Sequence, residues 1–104
     1  MTKYHARKVV IDGFTFDSQA EGRRYSELLL LCKAGEIRGL ETHPRFPLVV
    51  NSMRIGDYFA DFTYLDQGGA RIFEDVKGVK TPVYRLKRKL IKALYGIDIL
   101  EVAA

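Results

Sequence analysis

Chemistry in this chain is concentrated in two neighbouring segments. Tyr58-Phe59-Ala60-Asp61-Phe62 carries one acid, and Phe73-Glu74-Asp75-Val76-Lys77-Gly78 carries an acid-x-lysine. Aspartate and lysine are poor strand formers, so their apolar neighbours imply strands that are substantially buried. Buried charge needs a partner, a metal ion or a catalytic task, because the interior does not replace lost hydration. Two carboxylates and an ammonium drawn together suit a divalent cation acting on phosphate esters.

The turn between the segments sets which residues meet. Leu65-Asp66-Gln67-Gly68-Gly69-Ala70 reverses the chain through a loop at 67–69, whose glycines accept positive φ. Tyr64 then faces Ile72, Thr63 faces Phe73 and Phe62 faces Glu74. Continuing the ladder, Asp61 faces Asp75 and Phe59 faces Lys77. Directly opposed residues share a sheet face, which gathers Asp61, Asp75 and Lys77. A slip of one residue would instead bring Glu74 beside Asp61 and turn Lys77 away. Opposed carboxylates repel, and a bound cation would remove that cost.

The other elements must hold this hairpin. Asp12-Gly13 between Val9-Val10-Ile11 and Phe14-Thr15-Phe16 predicts a small N-terminal hairpin. Ser18 followed by Glu21 is a capping-box pattern and opens a helix to about Ala34, stopped by Gly35. Residues 37–40 and 46–50 read as extended, 54–65 as one strand and 71–76 as another. Pro82 precedes a second helix over 83–95, with Val83, Leu86, Leu90, Ile91 and Leu94 at helical spacing. Gly96 ends it, and 97–102 reads as a last strand. A strand-helix-strand crossover around the second helix predicts an α/β (α+β) fold, a mixed sheet flanked by helices.

Length and composition bound the rest. The chain has 104 residues, 47% apolar and 29% charged, which predicts a single domain over 1–104 with a small core. The longest apolar run, 28–32, is far too short to cross a bilayer, so no membrane association is expected. The first eight residues are basic and polar without a following apolar stretch, unlike a secretory leader. Cys32 is the only cysteine, which excludes an internal disulfide and fits a reducing, cytoplasmic setting. Net charge is +4. Between 76 and 97 stand Lys77, Lys80, Arg85, Lys87, Arg88, Lys89 and Lys92, with no acid. Arg85, Arg88, Lys89 and Lys92 form one stripe of the second helix, which suits a polyanion such as nucleic acid. A solvated helix face is the plain alternative.

Glu21 has two compatible roles. It is the third helical residue of the capping box. It also begins the stripe Glu21, Tyr25, Leu28, Cys32, which should face the core, and a carboxylate there needs a polar destination such as a metal site. His5, His43 and Cys32 lack metal-ligand spacing, and no glycine-rich phosphate loop, nucleotide fingerprint or Ser-His-Asp order is present. Tyr4, Tyr84 and Tyr95 could stack on bases, although core packing is the commoner fate of aromatics.

Glu21 on a first helix, Asp61 in a strand, Asp75-Val76-Lys77 in the next, then a basic helix and a strand, resembles the PD-(D/E)XK nuclease superfamily. The chain is similar to its small phage-encoded members, and the likeness includes Asp12-Gly13-Phe14-Thr15-Phe16-Asp17-Ser18, Ala34-Gly35-Glu36-Ile37 and Pro44-Arg45-Phe46. It departs at Ala60, where the superfamily often has proline, and at His43, where related sequences often have glutamine. The resemblance implies a restriction-endonuclease-like αβββαβ core after the N-terminal hairpin. It also implies a site built from Glu21, Asp61, Asp75 and Lys77, with the acids holding Mg²⁺ (or Mn²⁺) and the lysine assisting the attacking water. The Val76 carbonyl would add an oxygen ligand, and Lys80, Arg85, Arg88, Lys89 and Lys92 would contact phosphates.

The resulting expectation is a metal-dependent DNA endonuclease, structure-directed or weakly sequence-specific, working in phage DNA processing or recombination. A homodimer is one way for it to cut both strands, and no organic cofactor is expected. Two other classes stand beside it: a non-catalytic DNA-binding module retaining the nuclease fold, and a protein-interaction domain whose basic helix meets an acidic partner.

Overall fold

A computed structural model describes residues 7–104. Tyr4 and His5 lie outside the described residues. Strands β1 (Val9–Ile11) and β2 (Phe14–Phe16) form the expected hairpin, turned by Asp12 and Gly13 at φ +54° and +82°. Helix α1 (Gln19–Lys33) follows, its first turn capped by Ser18 Oγ, which accepts the Glu21 N–H at 3.1 Å. Then come β3 (Arg38–Thr42), β4 (Arg45–Val50), β5 (Met53–Phe59), β6 (Phe62–Leu65) and β7 (Arg71–Lys77). Helix α2 (Pro82–Tyr95) is capped by Thr81 Oγ1 and stopped by Gly96 at φ +68°. Strand β8 (Leu100–Ala103) ends the order.

The fold is α+β. Its main sheet has the order β3-β6-β7-β8, antiparallel except for the β7–β8 pair, which α2 connects in parallel. Alternation along a strand sends successive side chains to opposite faces, and each face has its own core. On one face Phe62, Tyr64 and Val76 pack with Phe16, Tyr25 and Leu28 beneath α1. On the other, Phe73 joins Ile99, Tyr84 and Ile91 beneath α2, together with Phe46, Leu48 and Tyr58 of β4 and β5.

Two expectations are corrected. Residues 54–65 do not form one strand. The chain leaves strand geometry at Ala60-Asp61, and β4 and β5 form a separate two-stranded arm around a turn at Asn51 and Ser52, both at positive φ. The bend is held by two backbone bonds, His43 N–H to the Asp61 carbonyl (2.9 Å) and Ala60 N–H to the Pro44 carbonyl (3.1 Å). His43 itself sits at φ +55°, a conformation that a helix or strand cannot continue. Phe59 consequently pairs with Arg45 in the arm, not with Lys77, whose partner is Ala103 of β8. The second correction concerns α2. Ile91 and Tyr84 are buried, but Val83, Leu86 and Leu94 are exposed, because the face that meets the sheet runs through Tyr84 and Ile91 instead.

No helix among the described residues is long and apolar enough to cross a membrane.

Candidate active site

The register of β6 on β7 determines the site, and it is the one the turn chemistry predicts. Phe62 pairs with Glu74, Thr63 with Phe73 and Tyr64 with Ile72, while the Asp66 N–H donates to the Ala70 carbonyl across the loop. Glu74 therefore points to the α1 face and Asp75 to the α2 face. Glu74 is wholly buried, yet fully satisfied: Arg24 Nε and Nη2 donate to its two oxygens at 2.6 and 3.1 Å, and the Tyr64 hydroxyl donates to one of them. This bidentate pair fastens α1 to the sheet one turn beyond Glu21.

Asp61 and Asp75 are locked to each other's strands. Asp75 Oδ1 accepts the Asp61 N–H at 3.0 Å, and Asp61 Oδ2 accepts the Val76 N–H at 2.7 Å. Both residues are buried, Asp75 at 1% exposure. The remaining Asp75 oxygen, Oδ2, is buried and has no hydrogen-bond partner among the described residues. A buried carboxylate oxygen without a donor is costly, and few native structures tolerate one without a reason.

Strand geometry adds a further oxygen. In an extended chain a residue's N–H and C=O point to the same strand edge. The Val76 carbonyl thus points, like its N–H, to the edge where Asp61 lies and where β6 has already turned away.

Glu21 approaches from α1. Its Oε2 accepts the Asp17 N–H at 3.1 Å, so it closes the helix start as a cap while its carboxyl also meets Asp61. Burial first, and then the charge of Asp61, push Glu21 from an ordinary 4.5 to about 7. Asp75 is raised to about 6, chiefly by burial and against the pull of Lys77. Asp61 is raised as well, burial outweighing the Val76 N–H and Lys77. Acids whose pKa values are raised by burial and by one another mark a candidate functional site.

Among the described residues, no three His, Cys, Asp or Glu side chains converge closely enough to form a ready metal cage. The donor set nevertheless fits a hard divalent cation: an orphaned Asp75 oxygen, a second aspartate on its strand neighbour and a backbone carbonyl aimed at the same edge.

Lys77 and the basic helix complete the surroundings. Lys77 Nζ lies 4.3 Å from the centroid of the Tyr84 ring, within range of a cation–π contact. Tyr84 is buried, so it cannot stack on a base. Its hydroxyl donates to Glu101 Oε2 at 2.7 Å, and burial together with Glu101 pushes the phenol upward. Glu101 is the register partner of Asp75 across β7–β8 and lies on the same face.

The basic stripe is exposed as expected but is not bare. Lys80 and Arg88 reach Glu101 (3.0 and 3.6 Å), and Lys92 pairs with Asp98 (2.8 Å). Arg85 and Lys89 have no ion pair among the described residues. Tyr95 is half exposed with its hydroxyl on the Pro47 carbonyl, and Cys32 is a free, partly buried thiol beside the α1 core.

Sequence reasoning missed Arg24, Tyr84 and Glu101 as parts of the site. The pairing of Glu101 with Asp75 required the parallel register of β8, which no local pattern encodes. The Arg24–Glu74 pair was signalled only by a glutamate inside an apolar strand.

Residues 1–100 match the family described as "Protein of unknown function (DUF1064)". The chain belongs to the DUF1064 family. No curated protein and no solved structure matches it. The DUF1064 match spans Glu21, both aspartates, Lys77 and the whole of α2, so the acids and the basic helix belong to one family unit.

Proposed function

We propose that this DUF1064 protein is a metal-dependent DNA endonuclease with a restriction-endonuclease-like core of the PD-(D/E)XK type. The observation that carries this reading is the interlocked pair Asp61 and Asp75, with Asp75 Oδ2 buried and unpartnered and Lys77 on the same strand. Asp61, Asp75, Glu21 and the Val76 carbonyl are the groups that would hold Mg²⁺ or Mn²⁺. When bound, such an ion activates water and neutralises charge on the phosphate oxygens.

The chain's own residues supply the rest. Lys77, held beside both aspartates and over Tyr84, positions the attacking water or stabilises charge that develops on the phosphoryl group. Asp61 fixes the end of β7 through the Val76 N–H and so fixes where Lys77 begins. Arg85, Lys89 and their neighbours on α2 align the DNA backbone by contacts to phosphate, which carry no sequence information. Cleavage is accordingly directed by DNA shape or only weakly by sequence. A homodimer would let the two strands be cut together; light scattering on and off DNA would then show twice the monomer mass, and a strict monomer in both states would exclude it.

That no three acids close into a ready cage among the described residues favours a second reading, a DNA-binding module that keeps the fold without the reaction. One panel decides between them. Labelled junctions, duplexes, ends and single strands are incubated with Mg²⁺, Mn²⁺ or EDTA. The nuclease reading predicts cutting of at least one shape that EDTA abolishes. Binding without cutting under every ion supports the module.

A further inference from the structure

A groove of about 510 Å³ runs between α2 and β8, walled by Lys80, Arg85, Arg88, Lys89 and Lys92. Two carboxylates share its lining, Asp98, which pairs with Lys92, and Glu101. Glu101 Oε1 sits 3.0 Å from Lys80 Nζ, and Oε2 lies 3.6 Å from an Arg88 nitrogen while accepting the Tyr84 hydroxyl at 2.7 Å. The partners differ in how firmly they hold it. Tyr84 is buried and fixed by the core, and Glu101 is 18% exposed at its side chain. Lys80 and Arg88 stay 45% and 43% exposed, and Arg88 makes one long contact where a guanidinium can make two short ones.

The cations stand at the solvent-facing end of these pairs and the Tyr84 hydroxyl stays with Glu101, so Lys80 and Arg88 can exchange the carboxylate for another anion at small cost. A phosphate oxygen offers these cations the same charge, and Arg88 gains bidentate geometry. We propose that this groove is a binding site for a nucleic-acid backbone phosphate whose place Glu101 fills while no ligand is present. Glu101 thereby competes with DNA. Because it stays tethered to Tyr84, which lies under Lys77, an incoming phosphate is received within two side-chain contacts of the proposed catalytic lysine. The inference rests on the nuclease reading and names how that site receives its substrate.

The test is binding of a fluorescein-labelled DNA duplex in EDTA, read by anisotropy across a salt series. Glu101→Gln keeps an acceptor for Tyr84 but removes the competing charge. Its affinity should rise about three- to tenfold, with a log–log salt slope steeper by about one. Glu101→Asp, shorter by one methylene at unchanged net charge, should shift binding in the same direction by less. Glu41→Gln, which removes the same charge from β3, should move affinity less than twofold. The Glu101→Gln gain should vanish in a Lys80→Ala, Arg88→Ala background, because the coupling lies between those side chains. If wild type binds and both Glu101 variants bind equally or more weakly, Glu101 is a structural partner and the proposal fails alone. If neither wild type nor variants bind DNA, the nuclease reading fails with it.

Discussion

Asp75 and Glu21 are acids whose charged forms the fold disfavours, and this has a sign that can be measured. Both have folded-state pKa values above their ordinary 3.8 and 4.5, at about 6 and about 7. The native chain therefore binds protons that the unfolded chain releases, and the stability they contribute is lost as pH rises through roughly 4 to 7. Denaturant midpoints should fall between pH 5.5 and pH 8, and Asp75→Asn should flatten that fall. Mn²⁺ at pH 8 should raise the wild-type midpoint and leave that of Asp75→Asn unchanged, since a ligand of the native state alone stabilises it. A midpoint indifferent to Mn²⁺ would argue against a cation at these acids. At this scale the sequence was informative in part: Asp61, Asp75 and Lys77 stood out as charges among apolar strand residues, and the Asp66 to Ala70 turn favoured the register seen from Phe62 to Leu65. The interlocking of each carboxylate with the other strand's N–H was not legible, because it depends on a bend that no residue pattern announces.

The elements show where tertiary contacts decide. Arg24 and Glu74 join α1 to β7, and Glu74 has no exposure to absorb an unpaired charge. Arg24→Met should cost about 3–5 kcal/mol in urea unfolding, the penalty of leaving a buried carboxylate without its partner. A loss under about 1 kcal/mol would mean that Tyr64 or water replaces Arg24 there. Both helices were legible to within a residue or two from Ser18, Gly35, Pro82 and Gly96, because caps and stops are local chemistry. The strand over 54–65 was not. Its apolar run continues through Ala60, and only the pairing of His43 with Asp61 and Pro44 with Ala60 splits it into β5 and β6. The burial of α2 was half legible: five apolar positions at helical spacing marked a wide face, and the sheet covers only part of it.

At the scale of the whole molecule, the proposed DNA partner is tested through charge. The described residues form a slab of 42 × 40 × 23 Å, and their radius of gyration of 14.5 Å exceeds the roughly 13 Å of a close-packed chain this long. Arg85 and Lys89 lie on the basic edge without an acidic partner among the described residues, so each is free to contact phosphate. Arg85→Ala and Lys89→Ala should each flatten the salt dependence of DNA binding by about one log–log unit, lowering affinity similarly for all sequences. An unchanged slope in both would move the DNA path off α2, and strong dependence on sequence would contradict recognition through the backbone.

The most direct test of the nuclease reading is single-turnover cleavage of a labelled DNA at saturating protein with Mn²⁺, comparing wild type with Asp75→Ala and Lys77→Ala. The prediction is cutting by wild type that EDTA abolishes, and a loss of at least about a hundredfold in each variant, the scale of removing one charge-stabilising group from a reaction centre. DNA binding should persist in both variants. Variants that cut at the wild-type rate, or a folded wild type that binds DNA and cuts with no ion, would contradict the assignment of Asp75 and Lys77 to phosphodiester hydrolysis.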